Sequence, residues 1–218
     1  MAIITIEYQM GCGGRAIGQM LAQRLGFSYV DREIVQGVAR QLQIGESAAE
    51  QQDERAAGLL GRALASLRAS GELTWTAAPS MPPALIDDTV YQTTTCNIIE
   101  AAARGDRVVI VGHAAGFALA DWPGALHVGL YASREQRVAT VMQRLGVDRT
   151  EALRQVTESD HGRARYIKRF YNANWLDAEH YHLMVDTELW TPERVADLIL
   201  SAWQASTVVA ASPPVSQS

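Results

Sequence analysis

The sequence predicts an α/β fold built on a parallel sheet, with strands and helices following one another along the chain. The first observation is an apolar, β-branched run at residues 3–6, followed by a glycine loop and then by apolar residues at helical spacing. The second is the unbroken apolar run at residues 108–111. Because such runs are typical of strands buried on both faces, they are expected inside a parallel sheet. The length of 218 residues fits one domain, predicted over residues 1–205.

The remaining elements carry local signals at their starts and ends. Further strands are predicted at residues 27–30, 125–131 and 182–186, and helices at 34–42 and 87–104. The first helix is expected to end at Gly26, because glycine favours the left-handed conformation of a C-cap. Ser133 and Asp148 each stand three residues before Gln or Glu, a spacing that predicts a capped helix start. Thr191-Pro192 predicts the start of the last helix.

The turn after the first strand carries three glycines in four positions, Gly11, Gly13 and Gly14. A strand, a glycine loop and a helix together direct main-chain N–H groups and the positive end of a helix at one point, which favours phosphate binding. Glycine matters there because it tolerates positive φ and lets a ligand approach closely. The alternative is an ordinary turn between a strand and a helix.

This loop departs from the Walker A pattern, which ends in Gly-Lys-Ser/Thr. The corresponding places hold Gly14, Arg15 and Ala16, and the one lysine of the chain is Lys168. Arg15 is a candidate substitute for the missing lysine, although a planar guanidinium differs in shape from an ammonium. Ala16 offers no hydroxyl to a metal ion, and no residue is predicted as a dedicated metal ligand.

Composition restricts the class of partner. The net charge is −5, which argues against general nucleic-acid binding. No apolar run is long enough to cross a bilayer, and residue 1 leads directly into the first strand without a secretory signal. Cys12 and Cys96 fit a reduced protein, so a cytoplasmic location is expected. Between Arg134 and Arg169 nine basic residues stand against five acidic ones, which indicates either an anion-binding segment or solvated helix faces.

Three further residues are expected near a ligand because they follow predicted strands. Asp31 and Arg32 come after the second strand, and His113 comes after the run at 108–111. In an open α/β sheet, ligands bind at the carboxyl ends of the strands. Asp31 could instead cap the next helix, and a lone histidine is often structural.

Two segments are predicted to stand apart from the sheet. Residues 45–86 contain a polar acidic stretch, an amphipathic helix and a proline-rich loop, and are interpreted as an insertion that serves as an acceptor-site flap or an oligomer contact. Residues 206–218 are rich in Ser, Pro and Ala and are predicted to be disordered.

Taken together, these patterns resemble the cytidylate-kinase-like proteins of the P-loop nucleoside-monophosphate-kinase group. The matching motifs are the opening strand with Gly11-Cys12-Gly13-Gly14-Arg15, the stretches 29–34 and 109–112, Asp160 with Arg163, Ala164 and Tyr166, and Tyr181 with Leu183, Asp186 and Thr187. The Gly-Gly-Arg ending of the loop is itself typical of one branch of this family. The family usually has Gly-Arg where this chain has Gly112-His113, and an imidazole does not form the bidentate pair that arginine makes with phosphate.

The resemblance implies a parallel sheet flanked by helices on both faces, with a helical lid at residues 146–172. It implies ATP, with Mg²⁺ held mainly by the nucleotide and by water, and a nucleoside monophosphate as acceptor. The donor phosphates are assigned to the loop, that is, to Gly11, Cys12, Gly13, Gly14, Arg15 and Ala16. The charge clamp on the transferring group is assigned first to Arg163, then to Arg15, Arg137, Arg165 and Lys168. Asp160 and Tyr166 are assigned to support of the lid, and Asp31, Arg32 and His113 to the acceptor.

The hypothesis is therefore an ATP-dependent phosphotransferase acting on a small acceptor such as CMP. One alternative is a nucleotide-binding sensor that keeps the fold without transfer, which the missing lysine favours. The other is a kinase of a hydroxylated molecule that is not a nucleotide. Small-molecule nucleotides are the expected partners, without nucleic acid or membrane, and a homo-oligomer is possible.

Overall fold

A computed structural model of the protein describes residues 2–42 and 88–211. Its centre is a five-stranded sheet in the order β2-β3-β1-β4-β5, and each neighbouring pair of strands is parallel. The strands are β1 (Ile3–Tyr8), β2 (Ser28–Val30), β3 (Val108–Val111), β4 (Ala125–Tyr131) and β5 (Leu183–Asp186). The predicted fold class is confirmed, and both apolar runs lie on inner strands of the sheet.

The described residues also form seven α-helices. They are α1 (Gly14–Leu25), α2 (Arg32–Gln41), α3 (Asp88–Arg104), α4 (Ala115–Ala118), α5 (Arg134–Leu145), α6 (Arg149–Tyr171) and α7 (Pro192–Ala211). The predicted caps are present: Gly26 is left-handed after α1, and the side chains of Ser133 and Asp148 accept hydrogen bonds from the first turns of α5 and α6. The short helix α4 was not predicted from the sequence.

Helices cover both faces of the sheet because side chains alternate along each strand. Ile4 and Ile6 lie on the face that packs with α1 and α7. Ile3 and Ile110 lie on the opposite face, where α2 and α3 supply Ile34 and Ile99. All of these side chains are essentially inaccessible to solvent, so two apolar layers hold the sheet in place.

Three predicted segments, the tail, the flap and the lid, fall inside the described residues to different extents. Helix α7 continues to Ala211, so it passes the boundary at residue 205 where a disordered tail was predicted, and residues 212–218 lie outside the described part. The predicted flap at 45–86 also lies outside it. The lid prediction covers α6, which packs on α5 through Val138, Val141, Ala152 and Val156. Within residues 2–42 and 88–211, each helix is too short or too polar to cross a membrane.

A stacked pair of histidines, of which His127 is buried and His182 is exposed, joins β4 to the residue before β5. The His127 ring stacks on that of His182 with 5.0 Å between centroids, and its Nδ1 lies 2.8 Å from the hydroxyl of Thr5. Its main-chain N–H donates to Nδ1 of His182. Burial, together with the neighbouring charge of His182, lowers the pKa of His127 from 6.5 to about 4.

The low pKa of His127 predicts an acid-sensitive fold. A base that is harder to protonate in the folded state binds more protons once unfolded, so stability falls as the pH drops from 6.5 to 4. The loss from this residue should reach about 3 kcal/mol at 1.36 kcal/mol per pKa unit. Urea unfolding across that range should show a smaller loss for His127→Gln than for the unchanged protein. An equal loss of stability in His127→Gln and in the unchanged protein would contradict the prediction. The control is His161→Gln, which changes an exposed histidine.

Candidate active site

The loop between β1 and α1 exposes main chain in place of side chains. Gly11 and Gly13 have φ values of 98° and 74°, in the left-handed region that favours glycine. Gly13 is the N-cap of α1 and has no side chain to cap the first turn, so the N–H groups there remain available to a ligand. A Cβ on Gly14 would lie 2.3 Å from Cγ of Tyr8, which excludes larger residues. The predicted strand, glycine loop and helix are therefore present.

The underside of this loop rests on a buried ion pair between α5 and α6. Two nitrogens of Arg137 lie 3.0 and 2.9 Å from the two oxygens of Asp160, and Arg137 is 4% exposed. A Cβ on Gly11 would lie 2.8 Å from the main chain of Arg137, so the loop packs directly on this residue. Nearby, burial raises the pKa of the Cys12 thiol to about 11. Arg137, held by Asp160, thus supports the loop at Gly11, and Cys12 is the buried residue of the loop itself.

Asp31 is the centre of a polar cluster at the carboxyl end of β2. Its carboxylate lies 2.8 Å from Nε of Arg15 and 3.4 Å from Nε2 of His113, and it accepts a hydrogen bond of 3.2 Å from Tyr29. Burial pushes the pKa of Asp31 upward, but the hydrogen bond with His113 and the charge of Arg15 outweigh it, so the pKa is lowered. Asp31 precedes α2 at the N-cap position, yet its side chain makes no capping bond. It is therefore ionised and holds Arg15 and His113 together.

His113 reaches Asp31 through an unusual backbone conformation after β3. Gly112, His113 and Ala114 have φ values of 76°, 58° and 57°, and two of them are not glycine. Left-handed residues other than glycine cost free energy and occur often at functional sites. The bend brings the His113 side chain, which is 6% exposed, against the carboxylate of Asp31.

Arg163 approaches from α6 and covers the end of β1. Its guanidinium donates to the main-chain oxygen of Tyr8 and lies 4.7 Å from the centroid of the Tyr8 ring. The Trp175 ring lies on the same guanidinium at 5.4 Å. A cation between two aromatic faces is held in position, because each ring attracts it electrostatically. A fixed positive charge therefore stands close to the start of the loop.

These groups line one cavity at the carboxyl ends of β1, β2 and β3. Its lining residues are Glu7, Tyr8, Arg15, Asp31, Val111, Gly112, His113, Ala114, Arg163, Tyr166, Ile167 and Trp175. Five predicted site residues are brought together there: Arg15, Asp31, His113, Arg163 and Tyr166.

Other predicted site residues lie elsewhere. Arg137 is beneath the loop, paired with Asp160. Arg165 and Lys168 are exposed on α6, and Nε of Arg165 donates to the main-chain oxygen of His161. The side chain of Arg32 lies outside what the structure describes. The catalytic roles of Arg137, Arg165 and Lys168 and the acceptor-binding role of Arg32 remain predictions, and none of the first three residues lines the cavity.

Sequence reasoning missed Glu7 and Trp175, which also line the cavity. A signal existed for Glu7, because it is an acidic residue that directly follows the apolar run of β1 at the carboxyl end of a central strand. Trp175 lies after α6 and comes to the cavity only through the packing of that helix, so no sequence pattern points to it.

Comparison with known proteins gives one family and several relatives. The model of the cytidylate kinase-like family matches residues 3–189. The chain is similar to the cytidylate kinase of Methanospirillum hungatei, with 29% identity over 106 residues that cover 48% of this chain and 58% of the relative. It is also similar to the cytidylate kinase of Methanopyrus kandleri, with 30% identity over 111 residues that cover 47% and 57%. The match thus spans just over half the length of each relative.

Solved structures support the fold. An uncharacterized protein from Eubacterium ventriosum superposes with a TM-score of 0.65 and 19% identity, covering 94% of this chain and 99% of that one. Shikimate kinase from Bacteroides thetaiotaomicron superposes with a TM-score of 0.54 and 13% identity, covering 93% and 98%. At these identities the likeness concerns the fold alone.

Proposed function

We propose that this chain, which belongs to the cytidylate kinase-like family, transfers a phosphoryl group from ATP to a small acceptor, with a nucleoside monophosphate such as CMP as the first candidate. The observation that carries the proposal is the position of Arg163. Its guanidinium is fixed over the end of β1 and lines the same cavity as Arg15, Asp31 and His113. Phosphoryl transfer requires this kind of positive charge beside a phosphate-binding loop.

The loop is suited to the donor phosphates. The N–H groups of the first turn of α1 lack a side-chain cap, and Gly13 has no side chain that would cover them, while Gly14 packs against the ring of Tyr8. A helix N-terminus of this kind binds anions through its N–H groups and its dipole. Bound ATP would supply the phosphoryl group that is transferred, and Arg15, half-exposed beside the loop, is placed to neutralise part of its charge.

A metal ion would find few protein ligands at this loop. Ala16 stands where a hydroxyl would be required, and Asp31 already accepts from Arg15, Tyr29 and His113. Mg²⁺ would therefore be held mainly by phosphate oxygens and water. What the chain itself contributes is position and charge: Arg163 lies over the end of β1, Arg15 belongs to the loop, and the Arg137–Asp160 pair packs against Gly11.

The acceptor is assigned to the side of the cavity formed by Asp31 and His113. Asp31 is ionised, and it orients both His113 and Arg15 toward the cavity. Tyr166 and Ile167 of α6 also line the cavity, and we expect them to limit the access of water to a bound acceptor. Such exclusion favours transfer to the acceptor over hydrolysis of the donor.

The proposal predicts acceptor-dependent release of ADP. The protein is incubated with ATP, Mg²⁺ and one of several acceptors, namely CMP, UMP, AMP, GMP and D-gluconate, and ADP is measured by a coupled assay. Release stimulated by one of the monophosphates is the expected result, because the site combines a phosphate loop with a fixed arginine. Release with D-gluconate alone would identify a kinase of hydroxylated molecules. Stabilisation by ATP without release in any mixture would identify a nucleotide-binding protein without transfer and would overturn the proposal.

A further inference from the structure

Glu7 lines the cavity, and the proposed transfer provides no role for it. Glu7 lies on β1 directly before Tyr8, whose main-chain oxygen accepts from Arg163. It is 4% exposed, and within residues 2–42 and 88–211 its Oε1 has no hydrogen-bond partner. Because an unpaired carboxylate oxygen in the interior costs free energy, its presence calls for a partner that comes from outside the described residues, and the cavity beside it offers room for a ligand.

The surroundings of Glu7 balance two opposing effects on its charge. Burial is the larger effect and raises the pKa of Glu7, while the charges of Arg163 and His113 and the main-chain N–H groups of Ala115 and Gly116 act in the opposite direction and favour the ionised form. Both charged residues belong to the same cavity. The carboxyl group of Glu7 therefore interacts with these charged and main-chain groups, while its Oε1 has no hydrogen-bond partner among the described residues.

A second unpartnered group lies in the same wall. The indole Nε1 of Trp175 is buried and, in the part of the chain that is described, has no acceptor. The main-chain oxygen of Trp175 accepts from Tyr181, which fixes the residue in place. The cavity therefore carries an unused acceptor on Glu7, and one of its lining residues carries an unused donor. Unused groups of both kinds indicate a polar, uncharged part of a ligand.

The chemistry of Glu7 restricts what that part of the ligand is. An ionised phosphate or carboxylate has no hydrogen to donate to Oε1, and it would also be repelled whenever Glu7 is ionised. An apolar group would leave Oε1 unpaired. A hydroxyl or an amino group donates to it directly, and a hydrogen bond to a charged acceptor is stronger than one between neutral groups.

We propose that Glu7 recognises the acceptor by accepting a hydrogen bond from an uncharged donor, a sugar hydroxyl or a base amino group, and so selects among nucleoside monophosphates. This inference rests on the proposed function, since it assigns the acceptor to this cavity. Glu7 is a specificity-determining residue here, and the phosphoryl transfer itself is left to the loop and to Arg163.

The test uses acceptors that differ in their hydrogen-bond donors, with the substitution Glu7→Gln. CMP is compared with 2′-deoxy-CMP, which lacks one sugar hydroxyl, and with UMP, in which a carbonyl oxygen replaces the amino group and N3 carries a hydrogen. The unchanged protein should use CMP better than one of these analogues by about tenfold or more in kcat/KM, the range expected for a hydrogen bond to a charged group. Glu7→Gln should reduce this preference toward unity by lowering kcat/KM for CMP. Its Tm should not fall, because a buried charge is removed while the shape is kept.

The outcomes separate this inference from the proposed function. Loss of preference against 2′-deoxy-CMP would identify the hydroxyl as the donor, and loss against UMP would identify the amino group. Equal preferences in Glu7→Gln and in the unchanged protein would overturn the role of Glu7 while leaving the transfer intact. If no acceptor is turned over, calorimetric titration of CMP in the presence of ADP decides. Binding that Glu7→Gln weakens would support Glu7 without transfer, and absence of binding would overturn both. Glu193→Gln, at an exposed carboxylate, is the matched control.

Discussion

Substitution of Arg163 by alanine is expected to lower kcat by about 10³-fold or more, the loss seen when a charge-stabilising arginine is removed from a phosphoryl-transfer site. The guanidinium is held by the Tyr8 main-chain oxygen and by the rings of Tyr8 and Trp175. Binding of ATP should change much less, because the loop contributes its own N–H groups. The measurement is ADP release at saturating ATP and acceptor, together with the Tm shift produced by ATP.

Two further variants make this result specific. Arg163→Lys keeps the charge but loses the planar contact with the two rings, so it should recover only part of the rate. Arg154→Ala, on the same helix in a network with Glu151 and Glu158, should leave the rate unchanged. If the Arg163→Ala variant retained most of the activity, Arg163 would not be required for phosphoryl transfer. The proposed function would then lose its main support.

Removal of the carboxylate in Asp160→Ala should destabilise the protein by about 3 kcal/mol or more, since breaking a buried ion pair leaves an uncompensated charge. That charge would be on Arg137, which is 4% exposed and packs against Gly11 of the loop. The free energy of unfolding in urea is the quantity to measure. Affinity for ATP should fall as well, because the loop loses a rigid support.

Glu158 provides a control of matched exposure on the same helix. The side chains of Asp160 and Glu158 are both 26% exposed, but the partner of Glu158 is Arg154, which is 39% exposed. Glu158→Ala should therefore cost much less, as surface ion pairs contribute little. Similar losses in the two variants would show that the Arg137–Asp160 pair is not a structural support of the loop.

Much of the scaffold follows from local sequence. The apolar runs of β1 and β3 have no polar alternation, and burial on both faces is the only way to remove them from water. Gly26, Ser133 and Asp148 mark helix ends because their chemistry satisfies main-chain groups within a few residues. The glycines after β1 likewise predict a loop whose main chain is open to a ligand, and the structure has that loop.

The site is formed by residues that are far apart in the chain, and no local sequence pattern predicts which of them meet. The segment from Arg134 to Arg169 has eight arginines, and the sequence does not distinguish the one that reaches the cavity from the one that supports the loop. Their separation arises from the packing of α6 on α5, which turns Arg163 toward Tyr8 and Asp160 toward Arg137. Asp31 was predicted to cap α2 or to contact a ligand, and only the tertiary structure shows that its side chain makes no capping bond and lines the cavity beside Arg15 and His113.

The sequence alone therefore determined the sheet, the loop and most helix ends, because hydrophobic periodicity and capping act between residues close in the chain. The tertiary structure decided which charged groups share the cavity and which are buried in pairs. It also revealed Glu7 as an unpaired acceptor in the cavity wall. The physical reason is that charge and hydrogen-bond complementarity operate across space, and they become defined only when β1, β2, β3 and α6 meet at one end of the sheet.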